Sequence, residues 1–160
     1  MINFHDGKLI YINILYLSGG DYSMRFVKGL FLFVLGGSLY IACELIFRGH
    51  SHWSMFLLGA VCFCFAGSIN ENIRQEIPLW KQVIIGTGFT MVMEFITGCI
   101  VNLWLGWNVW DYSNIPFNIM GQVCLPFSIM FSILILAAIL LDDYIRYRFF
   151  GEKKPHYKFI

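Results

Sequence analysis

The sequence predicts an all-α polytopic membrane protein, a bundle of about four transmembrane helices, and three observations carry that expectation. Hydrophobic residues make up 58% of the 160-residue chain and charged residues only 13%, with a mean hydropathy of +0.67; a soluble fold of this size cannot hide that much apolar surface. The apolar residues gather into four runs near the length of about 20 residues that a helix needs to cross a bilayer. If those runs cross, the Lys and Arg residues collect on one side of the membrane.

The runs are 26–47, 53–68, 79–105 and 122–141. The second is short and can extend through Asn70, and the fourth has Pro126 near its start, where a missing backbone N–H costs least. A fifth patch, 8–18, is too short to span and suits an interfacial or disordered extension. It lacks the charged start and small-residue cleavage site of a signal peptide. Met24, Arg25 and Lys28 make a natural beginning for a membrane protein, which divides the chain into a peripheral N-terminal extension (1–23), a four-helix transmembrane domain (24–150) and a basic cytoplasmic tail (151–160).

With four crossings both termini share a side. Lys8, Arg25, Lys28, Arg74, Lys81, Arg146, Arg148, Lys153, Lys154 and Lys158 fall there, and only Arg48 falls opposite. Because Lys and Arg are retained in the cytoplasm during insertion, this asymmetry predicts a cell-membrane protein with both termini and the 70–78 loop cytoplasmic. The loops around His50 and Asp111 then face outward. All five Trp residues, at 53, 80, 104, 107 and 110, fall near helix ends, where an amphipathic indole anchors at the headgroups.

The five cysteines, at 43, 62, 64, 99 and 124, sit in or beside apolar runs and read as packing. Cys62 and Cys64 point to opposite sides of a helix, since two residues turn it by about 200°. A net charge of +1 gives no reason to expect nucleic acid as a partner; membrane lipids are the expected surroundings.

Glu94 is the most informative residue. It falls near the middle of the third run, where a carboxylate costs several kcal/mol, about 2.5–3.5 on insertion scales for aspartate, so it must face the bundle interior. Gly86, Thr90, Glu94, Gly98 and Asn102 form a small-and-polar row at four-residue spacing. Close helix packing explains the glycines and Thr90, whereas an intramembrane acid points to function. Glu44 and Arg48 are four apart and can pair. That pair alone can be a structural bridge, but His50 and His52 share the next outer turn, and with nearby carboxylates they can bind zinc or shuttle protons. The third loop adds Asp111, Asn114, Asn118 and Gln122 and contains no Lys or Arg from 106 to 122. Together these residues make a candidate polar site at one end of the bundle, with Asn102 and Glu94 leading inward. The plainer reading is an aromatic-rich loop pinned by turn hydrogen bonds. Asn70-Glu71-Asn72 reads as a capped turn.

Several of these residues also carry a resemblance. Gly37-Ser38-Leu39-Tyr40 with Glu44, Arg48-Gly49-His50-Ser51-His52-Trp53, the Glu94 to Asn102 segment, and Trp110-Asp111-Tyr112-Ser113-Asn114 through Pro116-Phe117-Asn118 to Gly121-Gln122 resemble a family of small bacterial membrane proteins described as ABC-transporter type IV. The resemblance covers roughly 26–141 and implies a permease-like membrane subunit. It brings no substrate, catalytic residue, cofactor or metal with it. The chain has no Gly-x-x-x-x-Gly-Lys-Ser/Thr phosphate loop, so ATP hydrolysis requires a separate ATPase subunit, and four helices suggest a homo-oligomer or larger assembly if the protein transports.

Two functions follow. The first is a permease-like protein binding or transporting a polar solute along Glu94 and the outer polar groups. The alternative is a membrane-embedded enzyme with an outward-facing site acting on a lipid-linked or cell-wall substrate, in which Glu44 or Asp111 is a base, His50 or His52 an acid or base, and Arg48 an anion holder.

Overall fold

Apolar runs at helical length, with glycines where helices must approach, become four helices among the described residues. The computed structural model describes the backbone of residues 4–72 and 77–158 and the side chains of 22–69 and 77–158. By contacts the chain forms two units, Met1–Phe31 and Leu32–Ile160. In the first, the described residues from Tyr22 onward are helical and mostly exposed. The packing below concerns the second.

Helix α1 (Phe4–Arg48) runs unbroken through the boundary that the sequence places at residue 23, and its apolar spanning stretch is Tyr22–Arg48. Side chains of the 8–18 patch lie outside the described residues. The helix stops at Gly49, whose φ of 72° is left-handed and whose N–H bonds back to Leu45 O at 3.0 Å, a terminus that glycine enters at no steric cost. Helix α2 (Trp53–Asn72) has the shortest apolar stretch, Trp53–Ile69; the Asn70–Asn72 turn side chains lie outside the described residues. Helix α3 (Leu79–Gly98) follows Pro78 and continues as a π-helical turn, Cys99–Trp104. Helix α4 (Leu125–Phe150) has proline in its first turn and ends at Gly151. Three of these, including Leu79–Trp104 and Leu125–Phe150, are long and apolar enough to cross a membrane. The expected all-α membrane bundle is therefore what the chain forms.

Two boundaries differ from expectation, for local reasons. Helix α4 begins at Leu125 rather than Gln122, because Val123–Cys124 (β2) pairs antiparallel with Asn118–Ile119 (β1), Asn118 opposite Cys124. It also runs nine residues past Leu141. Asp142 and Asp143 look like a polar boundary, yet both are buried, with Arg146 Nε donating to Asp142 Oδ2 at 2.6 Å and Tyr157 Oη to Asp143 Oδ2 at 2.9 Å. The tail that supplies Tyr157 also brings Lys158 O to the first amide of α3, Leu79 N, at 2.9 Å, satisfying a donor that a helix start leaves open.

Glycine sets how near the helices come. A Cβ on Gly36 of α1 would strike Phe63 of α2, and one on Gly59 of α2 would strike Tyr40 of α1, so each helix offers a notch to the other's ring. Gly86 of α3 accepts Ile135 of α4, and Gly67 of α2 accepts Asp142. Phe65 stacks on Phe89 at 3.7 Å between α2 and α3. This is packing by shape, the force available where lipid tails are as apolar as the side chains.

Gly59→Ala is expected to destabilise the purified protein by about 1–3 kcal/mol through overpacking against Tyr40. Gly88→Ala, with nothing within 4 Å of the added atom, is expected to leave thermal unfolding in detergent unchanged or slightly raised.

Candidate functional site

The buried face of α3 is the polar row read in the sequence, extended by one residue at its start: Gln82, Gly86, Thr90, Glu94, Gly98 and Asn102. Four residues of α-helix overshoot a full turn by about 40°, so such a row drifts around the helix. The π turn counteracts this. Its i→i+5 bonding, seen in Leu105 N to Ile100 O at 2.9 Å, makes four residues fall short of a turn and swings Asn102 back toward the face of Gly98.

Asn102 then organises the loop that follows. Its Nδ2 donates to Gln122 Oε1 at 2.8 Å and its Oδ1 accepts from Val109 N at 2.7 Å. Gln122 is buried as well; its Nε2 donates to Met120 O at 3.0 Å and its backbone carbonyl accepts from Trp110 Nε1 at 2.9 Å. Trp110 is thus a core residue, packed with Met55, Leu58, Cys62 and Val101. This corrects its assignment to the interfacial belt; Trp53, Trp80, Trp104 and Trp107 are exposed. The loop between Trp104 and Leu125 folds back into the bundle. Gly121 allows it: at φ 70° it lies against Asp111 and Ser113, leaving no room for a side chain.

The part of that loop that meets Glu94 is Tyr112. Its hydroxyl donates to Glu94 Oε1 at 3.1 Å, its ring stacks on Phe127 of α4 at 4.6 Å, and its amide bonds to Gly121 O at 2.8 Å. Glu94 precedes Trp104 by ten residues, about 15 Å along a helix, and is 1% exposed. Burial first, and then the Glu94 charge, push the Tyr112 phenol well above its usual range, so it remains a donor.

A second carboxylate stands nearby. Glu44, also buried, takes Arg48 Nη1 at 2.8 Å and Ser51 Oγ at 2.5 Å, while Arg48 Nη2 reaches Val109 O at 2.7 Å and ties α1 to the loop. Glu44 and Arg48 both lie within electrostatic reach of Glu94, and Tyr40 lies within reach of both carboxylates. Chemically this is a desolvated group of two acids, one guanidinium and two phenols.

The structure therefore brings together Glu44, Arg48, Glu94, Asn102 and Gln122, and leaves the other candidates outside. Exposed His50 turns Nδ1 to Arg48 O at 2.9 Å. His52 meets Ser54 Oγ at 2.9 Å and packs between the rings of Trp53 and Trp107. Asp111 is fully exposed, and hydrogen bonds from the Ser113 hydroxyl and amide hold its carboxyl below the usual range. Asn118 bonds Ser113 O, Ile115 O and Gly121 N, shaping the hairpin, and Asn114 is exposed. Among the described residues no group of three or more His, Cys, Asp or Glu could hold a metal ion. Sequence reasoning missed Tyr112 and Tyr40 as members of the group. Tyr112 gives no signal, because an aromatic loop residue looks the same whether it anchors at headgroups or plunges inward; Tyr40, one helical turn before Glu44 in α1, reads as ordinary helix packing.

A family model described as Putative ABC-transporter type IV matches residues 21–158. The chain belongs to this family. The match takes in all the residues of the buried group, the folded-back loop and the tail through Lys158. No solved structure matches this type IV chain.

Asn102→Ala in this type IV protein is expected to cost about 1–3 kcal/mol, the desolvation penalty of leaving buried polar groups unpaired, here Val109 N and Gln122 Oε1. His50→Ala is expected to shift stability by less than about 0.5 kcal/mol. Thermal unfolding of the two variants in detergent compares them directly.

Proposed function

We propose that the chain is a permease-like subunit that binds a polar solute at Glu94, working in a larger assembly with a separate ATPase. One observation carries the reading: a carboxylate near the middle of a spanning helix is buried with Glu44 and Arg48 of α1 nearby and, among the described residues, is bonded to the hydroxyl of Tyr112 from the folded-back loop rather than to a lysine or arginine. Buried ionisable groups in membrane helices mark solute or proton paths because nothing structural repays their desolvation. Membership of a family described as ABC-transporter supports transport over catalysis.

The orientation supported by the charge asymmetry puts both termini in the cytoplasm, where an ATPase subunit docks, and the folded-back loop on the outer face. In that arrangement Tyr112 is the outer closure of the site. A solute entering from outside displaces the loop or finds another way in.

Gentle extraction followed by native mass spectrometry is expected to recover the chain with a nucleotide-binding subunit. Reconstituted with that subunit, Glu94→Gln is expected to keep the assembly intact and lose solute-stimulated ATP hydrolysis by tenfold or more. Full stimulation in Glu94→Gln removes Glu94 from the mechanism.

A further inference from the structure

Beside the acids lies an apolar chamber that the reading above does not use. It has a volume of about 200 Å³ and is walled by all four helices, with Gly36 and Tyr40 from α1, Cys62 from α2, Thr90 from α3, and Leu134 and Ala138 from α4 among its lining. Its rim includes Leu39 of α1 and Ala137 of α4, both exposed on the lipid-facing surface, so it opens toward the bilayer between those helices. A cavity of about 150 Å³ holds a benzene ring; this one holds an apolar body somewhat larger.

Two features mark the chamber as a binding site rather than a packing flaw. Thr90 is 5% exposed, and its Oγ1 meets no nitrogen or oxygen partner, having only the weakly polar Cys62 thiol beside it. A buried hydroxyl left in that state costs free energy that a ligand atom can restore. The chamber also lies close to the acid group: Thr90, which lines it, stands one helical turn from Glu94 on the same buried face of α3, and Tyr40 lines it from α1. Around Glu94 the titratable groups are Glu44, Arg48, Tyr40, Tyr112 and Cys62. Arg48 directs its hydrogen bonds to Glu44 and Val109 O, and Glu94 takes the Tyr112 hydroxyl. An ammonium group brought beside Glu94 can form an ion pair there, with the phenol rings of Tyr40 and Tyr112 nearby.

We propose that the chamber and Glu94 together bind an amphiphilic amine, the apolar body lying between α1 and α4 and the ammonium group meeting Glu94. The ligand enters sideways from the bilayer, past Leu39 and Ala137, which spares the Tyr112 closure. This names the class of solute for the site proposed above and rests on that reading for the role of Glu94 in binding.

The test uses the full chain in nanodiscs of zwitterionic phosphatidylcholine, titrated calorimetrically with hexylammonium, hexanol and hexanoate, with empty nanodiscs subtracted. Hexylammonium is expected to bind saturably and at least tenfold more tightly than either of the others. Glu94→Gln is expected to abolish that preference. Ala137→Phe, which fills the chamber from its lipid-facing rim and so spares the core, is expected to weaken hexylammonium binding at least tenfold while leaving thermal unfolding unchanged. Equal affinity for hexanol and hexylammonium, undiminished binding in Glu94→Gln, or undiminished binding in Ala137→Phe overturns the proposal. Binding of hexylammonium without any Glu94-dependent ATP hydrolysis in the assembly would overturn the transport reading alone. Solute-stimulated hydrolysis with no hexylammonium binding would overturn the amine alone.

Discussion

A carboxyl group held near the middle of a membrane helix is the constraint on which the rest of this structure depends. Left toward lipid, Glu94 would cost several kcal/mol; turned inward, it needs room and polar company that a plain apolar bundle lacks. Gly86 and Gly98 on the same face provide room by admitting Ile135 and Gln122 at distances no larger residue allows. Company comes from Tyr112, which can reach Glu94 only because the loop after α3 folds back into the bundle. The π turn, the Asn102–Gln122 bond and the left-handed Gly121 are the means by which that loop is turned inward and kept there.

The two ends of the bundle solve a similar problem differently. At the loop end, Arg48 bonds Glu44, and the other donors to the two acids are the hydroxyls of Ser51 and Tyr112. At the tail end, Asp142 and Asp143 are equally buried, but Arg146 bonds directly to Asp142 and Tyr157 closes over Asp143, within a helix terminus packed by Ala66, Leu79 and Ile139. That end reads as structural: burial and hydrogen bonding to Asp143 push the Tyr157 phenol well above its usual range, keeping it a donor.

Much of this was legible in the sequence because a membrane helix has a single strong requirement, apolar length, and a single strong exception, the buried polar face. Residues 26–47 and 79–105 show the first; Gly86, Thr90, Glu94, Gly98 and Asn102 show the second, and every member of that row is buried. Loop conformation was not legible, because nothing periodic records it. Trp110 and Tyr112 were read with the interface since aromatic residues beside a helix end usually belong there. Asp142 and Asp143 ended the fourth run on paper because hydropathy does not register an arginine four residues on. Nor does a polar residue type record burial: His50, His52, Asp111 and Asn118 bond within the turns and the loop, and Asn114 is exposed, whereas Glu44 is buried.

The central claim is that Glu94 and the folded-back loop hold each other through Tyr112. A double-mutant cycle of Glu94→Gln and Tyr112→Phe, read as thermal stability in detergent, tests it most directly. A coupling of about 1 kcal/mol or more is the result the account predicts for a buried hydrogen bond to a carboxylate. Effects that add to within about 0.3–0.5 kcal/mol would show two independent sites and contradict it.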